Sequence, residues 1–330
     1  MHGWIILDKP LGLGSTQGVS AVKRALRQGG YGKFKVGHGG TLDPLATGVL
    51  PIAVGEATKL AGRMLDSDKV YAFTIRFGEQ TDTLDAEGQV IATSPVRPTA
   101  EALAAVLPRF TGPISQVPPA YSALKVDGER AYDLARAGEE VVLASRAVTV
   151  HSLRSSPARR GGPFVEDEWW GGASTSGSLA APPLPDPLAP PRAGEELEDA
   201  TLLAHVSKGT YIRSLARDIA LALGTVGHVT MLRRLKAGPF TLDGAISLDK
   251  LGELGQARAL EQILLPLRAG LDDIPALSLT PDQAGALRQG RVLTGIAADD
   301  GPYFACDGDK PVALIEVEAN EARVVRGFNL

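Results

Sequence analysis

Residues 155–200 read SSPARRGGPFVEDEWWGGASTSGSLAAPPLPDPLAPPRAGEELEDA, and a chain carrying this stretch must build its core elsewhere. It holds eight prolines, six glycines and five serines, too little apolar surface to offset the entropy of ordering it. We read it as a mobile insertion within a folded domain, with order resuming at TLLAHV (201–206), because structureless loops this long are uncommon inside compact units. Trp169 and Trp170 are its only large aromatic anchors apart from Phe164. The flanking segments must therefore meet across it.

Those flanks alternate strand and helix patterns. WIILD (4–8) reads as a short buried strand, and KVYAFTIRFG (69–78) places Tyr71, Phe73, Ile75 and Phe77 on one side of a strand. STQGVSAVKRALR reads as a helix begun at Ser15 or Thr16 with Val19, Val22 and Leu26 inward, and GTYIRSLARDIALALG as one with Ile212, Leu215, Ile219 and Leu223 inward. On that second helix Arg213 and Arg217 lie one turn apart. From about residue 270 the texture changes: Thr280 is placed to cap a helix with Pro281 at its first position and Gly290 past its end, and PVALIEVE and ARVVRGF read as strands. The expected fold class is mixed α/β (α+β), lacking the regular βαβ period of a doubly wound sheet. The expected domains are 1–268, interrupted by the 155–200 insertion, and a small strand-rich unit at 269–330.

With 330 residues, 44% of them hydrophobic and 22% charged, the chain can fill a sizeable core. No apolar run approaches the roughly 20 residues of a bilayer span, and the four-residue apolar run in MHGWIILDKP is too short for a signal peptide. A cytoplasmic protein without membrane association is expected. The single Cys306 and the histidines at 2, 38, 151, 205 and 228 show no zinc-type spacing, so no metal is expected. The net charge of −4 argues against a nucleic-acid partner until its distribution is considered. Residues 1–60 carry seven basic and three acidic side chains, residues 205–240 six basic and one acidic, while the insertion alone contributes −5. Lys23, Arg24, Lys33, Lys35, Lys208, Arg217, Arg233, Arg234 and Lys236 are thus candidates for phosphate contact, with a solvated surface as the plainer explanation.

The segment VGHGGTLDPLATG (36–48) sets Asp43 directly before Pro44, whose ring disfavours the α region for its neighbour and so points the carboxylate. Glycines around it allow close approach to the main chain. A surface turn would show the same composition. The P-loop order, the G-x-G-x-x-G of dinucleotide folds and the G-x-S-x-G of serine hydrolases are all missing, which withdraws support from nucleotide cofactors and serine chemistry.

DKPLG (8–12), GHGGTLDPLATGVLPIAVGEATK (37–59), YAFTIRFGEQTDTLDAEG (71–88), PPAYSALKVDGERAYDLARAGEEV (118–141), SKGTYIRSLARDIA (207–220) and HVTMLRRL (228–235) together resemble, in order and spacing, the TruB family of tRNA pseudouridine synthases. The resemblance spans residues 1–240 apart from the insertion, and the terminal segment is more weakly similar to the RNA-binding PUA domain. Departures are the insertion and Gly39, where many members have threonine. The resemblance implies isomerisation of the T-arm uridine at tRNA position 55, by a monomer that needs no cofactor and no obligate protein partner. It implies Asp43 as nucleophile, Arg213 as its ion-pair partner and Tyr71 against the target base with its hydroxyl available for proton transfer. It further implies His38 in the space vacated by the extruded base, Tyr211 and Leu232 lining the pocket, and Lys59 as a positive charge nearby. Attack at the sugar C1′ and at the pyrimidine C6 are both compatible with these residues.

Other classes remain in view. A non-catalytic RNA-binding or RNA-folding protein would use the same basic surfaces, and the Asp43, Tyr71 and Arg213 set favours catalysis over it. A glycosidase would need a second acid such as Asp82 or Asp85, but an aromatic content of 5% offers little for sugar stacking. A guide-RNA-dependent member of the same family is a narrower alternative. The start at GWIILDKP, without the long extension expected of such relatives, favours direct recognition of tRNA.

Overall fold

The alternating run at 69–77 becomes the strand around which the larger sheet is arranged. The computed structural model describes residues 1–126, 128–155, 194 and 196–330; nearly all of the insertion, with Trp169 and Trp170, lies outside the described residues. The chain first forms β1 (Gly3–Lys9), α1 (Ser15–Gln28), β2 (Val36–His38), β3 (Ala46–Val54), α2 (Ala61–Asp66) and β4 (Lys69–Phe77). Next come β5 (Glu79–Thr81), β6 (Val90–Thr93), α3 (Ala100–Val106), β7 (Gly112–Gln116), β8 (Lys125–Val126), β9 (Glu129–Arg130), α4 (Ala131–Arg136) and β10 (Arg146–Ser155). Beyond the insertion follow β11 (Asp199–Val206), α5 (Ile212–Ala222), β12 (Gly227–Ala237), β13 (Phe240–Thr241), α6 (Leu248–Gln256) and β14 (Leu265–Pro266). The terminal unit contains β15 (Ala276–Ser278), α7 (Pro281–Arg288), β16 (Leu293–Thr294), β17 (Gly301–Asp307), β18 (Lys310–Glu318) and β19 (Glu321–Gly327).

The larger sheet has the order β14-β1-β3-β12-β4-β11-β10-β7, with β2 added to β3 and β13 to β12. All neighbours along this order are antiparallel except β3 and β12. The mixed sheet expected from the irregular alternation of elements is therefore what forms. β10 and β11 pair across the insertion from Val150↔Val206 to Ser155↔Leu202. Strand order resumes at Asp199, two residues before the expected TLLAHV, because pairing of Asp199 with Arg76 of β4 carries it outward.

One face of this sheet is covered by α1, α5 and α6. Val22 and Leu26 of α1 lie over β1 and β3, Leu251 and Leu254 of α6 over β1, and Ile212, Leu215 and Ile219 of α5 over β4 and β12, all in one apolar cluster with Phe73, Ile75 and Phe77. Burying such apolar faces is the main favourable term holding these layers together. At the start of α1 the cap position is Gly14, whose N–H donates to Gln17 Oε1 (2.7 Å), and Ser15 is turned to another use described below.

The smaller sheet has the order β15-β17-β18-β19-β16 and packs against α7. Thr280 caps α7, Pro281 opens it, and Gly290 follows its end at φ +73°. The two units share a core in which Phe304 and Phe328 of the terminal unit join Trp4, Ile6, Val49 and Met64 of the larger sheet. Among the described residues no helix is long and apolar enough to cross a membrane.

Candidate active site

The loop from Gly39 to Gly48 is fixed by three buried side chains reaching it from other elements. Ser15 Oγ accepts from the Leu42 N–H (2.7 Å) and lies 3.0 Å from the Leu42 carbonyl, clamping the residue before Asp43. Arg234, 1% exposed, sends Nε to the Val49 carbonyl (2.8 Å) and its two terminal nitrogens to the carbonyls of Thr41 (3.4 Å) and Gly40 (3.2 Å). Lys9 Nζ donates to the carbonyls of Pro10 (3.0 Å), Leu13 (2.5 Å) and Pro44 (3.3 Å). Burial lowers the Lys9 pKa to about 8, against the opposing pull of Asp43. Within the loop, Asp43 to Ala46 form a turn closed by the Ala46 N–H on the Asp43 carbonyl (3.0 Å), with Pro44 in the position proline favours.

Gly48 is demanded by this arrangement. Its φ is +97°, and a Cβ there would stand 2.2 Å from the carbonyl oxygen of Arg234 on the parallel strand β12. Gly39 is matched to Met64, whose Cβ would lie 2.6 Å from a Cβ at position 39.

Arg213, in the first turn of α5, is the centre of the constellation. Its Nη2 is 2.8 Å from Asp43 Oδ2, and its Nη1 is 3.3 Å from Asp85 Oδ2. The same nitrogens donate to the carbonyls of Thr83 (2.8 Å) and Tyr121 (3.0 Å). The guanidinium thus ties together the Asp43 loop, the turn after β5 and the segment before β8. The Arg213 and Asp85 side chains are buried, 7% and 3% exposed, whereas the Asp43 side chain keeps 41% exposure. Asp85 is itself fixed by Thr83 Oγ1 (2.6 Å) and the Glu87 N–H (3.0 Å), in a turn that holds Leu84 at φ +62°.

Asp43, Tyr71, Tyr211, Arg213 and Leu232 line one cavity of about 300 Å³. Tyr71 lies at the edge of the core packed by Phe73 and Ile75. Tyr211, at the cap position of α5, has its backbone bracketed by Gln116, which accepts from the Tyr211 N–H (2.8 Å) and donates to its carbonyl (3.1 Å). The cavity thus presents a solvent-accessible carboxylate, held by a buried cation, beside two tyrosine side chains.

Residues 23–161 match the family model described as TruB family pseudouridylate synthase (N terminal domain). Residues 213–272 match the tRNA pseudouridylate synthase B C-terminal domain. The tRNA pseudouridine synthase B of Novosphingobium aromaticivorans is 63% identical, over 100% of this chain and 98% of that protein. The chain belongs to the TruB family. Its counterpart in Zymomonas mobilis subsp. mobilis is 56% identical over 100% of this chain and 96% of the relative, and that in Caulobacter vibrioides 43% over 100% and 97%. A chain in the crystal structure of a Cbf5-Nop10-Gar1 complex superposes with a TM-score of 0.65 at 22% identity, covering 99% of this chain and 84% of that one, which shows a shared fold. TruB proteins are isomerases that modify RNA, and this chain is an enzyme of that class.

Two positions that the TruB resemblance associates with the site lie outside the cavity lining. Lys59 Nζ binds Glu56 (2.6 Å) and the Gly327 carbonyl of the terminal unit (2.8 Å). His38 is on β2, its Nδ1 buried without a hydrogen-bond partner among the described residues, and burial followed by Arg234 lowers its pKa. Arg234, 1% exposed with each of its three nitrogens donating to a main-chain carbonyl of the Gly40 to Val49 loop, is buried and holds that loop, whereas the sequence alone makes it a phosphate-contact candidate. Arg213 is likewise not on a solvated face with Arg217; the latter pairs with Asp218 (2.8 Å). Arg233 holds Asp8 with two 3.0 Å bonds and Lys208 holds Asp66 at 3.0 Å, while Lys23, Arg24, Lys33 and Lys35 stay exposed.

Sequence spacing missed Lys9, Gln116 and the pairing role of Asp85, which entered only as a candidate second acid. All three sit inside the motifs that carry the TruB resemblance, or just before one. A buried polar residue in an apolar setting is the signal that could have marked Lys9. Spacing also hid the approach of His151 and His205, whose rings lie 4.7 Å apart beside Asp68. Asp68 Oδ2 is 3.1 Å and 3.7 Å from their Nε2 atoms, and this is the one group among the described residues with donors placed to hold a metal ion. Because His205 alternates with Val206, which lines the cavity, the trio lies on the opposite face of the sheet.

Proposed function

We propose that this enzyme converts uridine to pseudouridine at position 55 in the T arm of tRNA, acting alone and without a cofactor, through covalent attack by Asp43. The observation that carries the reading is the Asp43–Arg213 pair in a cavity shared with Tyr71. Pseudouridine formation in tRNA is the activity named for relatives that match this chain from end to end.

The target base must first leave its stack, at a cost of a few kcal/mol, with His38 filling the space behind it. The Asp43 carboxylate then bonds to C1′ or C6, the N1–C1′ bond breaks, the uracil turns, and C5 bonds to C1′ as the carboxylate departs. The proton lost from C5 is balanced by one gained at N1, so no oxidant or reductant enters. Tyr71 is the group we assign to proton transfer at C5. Arg213 pairs with the carboxylate and aims it. The terminal sheet acts as a PUA-like RNA-binding unit, and a cytoplasmic monomer suffices.

Incubating the purified protein and its Asp43→Asn variant with an unmodified T-arm stem-loop, followed by mapping of pseudouridine, tests this directly. The wild type is expected to convert the target uridine and the variant to give none. Conversion by the amide at the wild-type rate would overturn the nucleophile, and no conversion by the wild type would overturn the function.

A further inference from the structure

The cavity that holds Asp43 carries four cationic side chains, and three of them are hydrogen-bonded within the protein. Lys69 donates to the carbonyls of Leu65 and Ser67, Arg213 serves Asp43, Asp85, Thr83 and Tyr121, and Arg234 serves the Gly40 to Val49 loop. The fourth is Arg146, the first residue of β10. Its Nε and Nη2 are buried and have no hydrogen-bond partner among the described residues. Its guanidinium lies over the Tyr211 ring, 4.7 Å from the centroid, which fixes the plane of the fork without using its N–H groups.

Leaving buried charged donors unmet is costly, and a fold keeps such a group where a ligand completes it. The position of Arg146 indicates which ligand. It also lines a second cavity of about 590 Å³, reached past Ser207 and Gly209 and bordered by Val148, Thr149 and Lys208. Arg146 is the cation common to both cavities. A nucleotide whose base occupies the first cavity must run its backbone out past the shared wall, and each backbone step brings one phosphate. Uracil is neutral, so its carbonyls would satisfy hydrogen bonds but not the charge. A phosphodiester oxygen pair matches both the charge and the planar fork.

Resting on the proposed function, we infer that Arg146 is a phosphate-binding residue that grips a backbone phosphate flanking the extruded uridine, with Tyr211 as the platform that orients it. The site would thereby bind an RNA strand only in the extruded conformation, since a stacked nucleotide does not carry its phosphate to this wall.

The test uses the full-length protein and T-arm stem-loops bearing one uncharged methylphosphonate immediately 5′ or 3′ of the target uridine, with KM and kcat measured separately. For the wild type, one of the two substitutions is expected to raise KM by roughly 10- to 100-fold. Arg146→Met, which keeps an apolar contact for Tyr211, is expected to raise KM similarly on the natural stem-loop and to show no further loss with that methylphosphonate. Arg146→Lys should recover part of the KM. If neither methylphosphonate affects the wild type, or if the losses from variant and methylphosphonate multiply, the inference is overturned. A variant that lowers kcat equally on every substrate with KM unchanged would also overturn it, by showing that Arg146 acts only through Tyr211. Failure of the wild type to convert the natural stem-loop would instead count against the proposed function.

Discussion

At the scale of single residues, the arrangement around Arg213 explains why an arginine, and no other cation, suits the first turn of α5. One planar group meets two carboxylates and two carbonyls, each from a different direction. A lysine ammonium is a compact point charge and cannot span these four acceptors. Arg213→Lys is therefore expected to lower kcat by about 100-fold or more, because a displacement near 1 Å of a reacting group has that order of effect. Single-turnover assays on the T-arm stem-loop check it, and a variant with normal turnover would remove Arg213 from the mechanism. Asp43 stood out in the sequence for the proline after it and the glycines around it, a pattern a surface turn shares, and it was the TruB resemblance that made it the candidate nucleophile. The roles of Asp85 and Gln116 were not legible, since their partners lie more than 90 residues away in sequence, and only the assembled sheet brings them close.

At the scale of elements, periodicity revealed β4, α1 and α5, because each buries one face and the pattern of that face is local, while α7 was marked by its local cap residues Thr280 and Pro281. Strand order was not accessible in this way; it depends on pairings such as Arg234↔Gly48 that no short window contains. Arg234 misled for the same reason, as a charged residue in a strand reads as surface until its acceptors are known. The close approach at that pairing predicts that Gly48→Ala destabilises the fold by more than about 2 kcal/mol in chemical denaturation, combining a positive φ with a backbone clash. A second expectation concerns Lys69 at the start of β4, whose pKa burial lowers from 10.5 to about 8. Between those two pH values the unfolded chain binds the extra proton, so stability rises with pH across that window and the full cost of burying the charge is present below it. Lys69→Met should abolish this rise. Unfolding of both proteins at pH about 7 and about 10 should show the wild type gaining on the variant at the higher pH.

At the scale of the whole molecule, an acidic chain that binds a polyanion must segregate its charge, and Lys23, Arg24, Lys33 and Lys35 are exposed. Affinity for tRNA should fall steeply as salt is raised, and replacing Lys33 and Lys35 by glutamine should reduce the slope of log affinity against log salt by about 1 for each phosphate no longer neutralised. A flat salt response would dismiss this electrostatic footprint. The shared core of Phe304, Phe328 and Trp4 makes the terminal sheet a neighbour that the catalytic body leans on. The guanidinium paired with the cavity's aspartate is delivered by residue 213, while the aspartate itself is residue 43. During synthesis the ribosome releases the aspartate long before its counterion, and a half-made polypeptide has no means to aim it. A growing chain shorter than residue 213 therefore carries Asp43 without the partner that holds it in the finished protein.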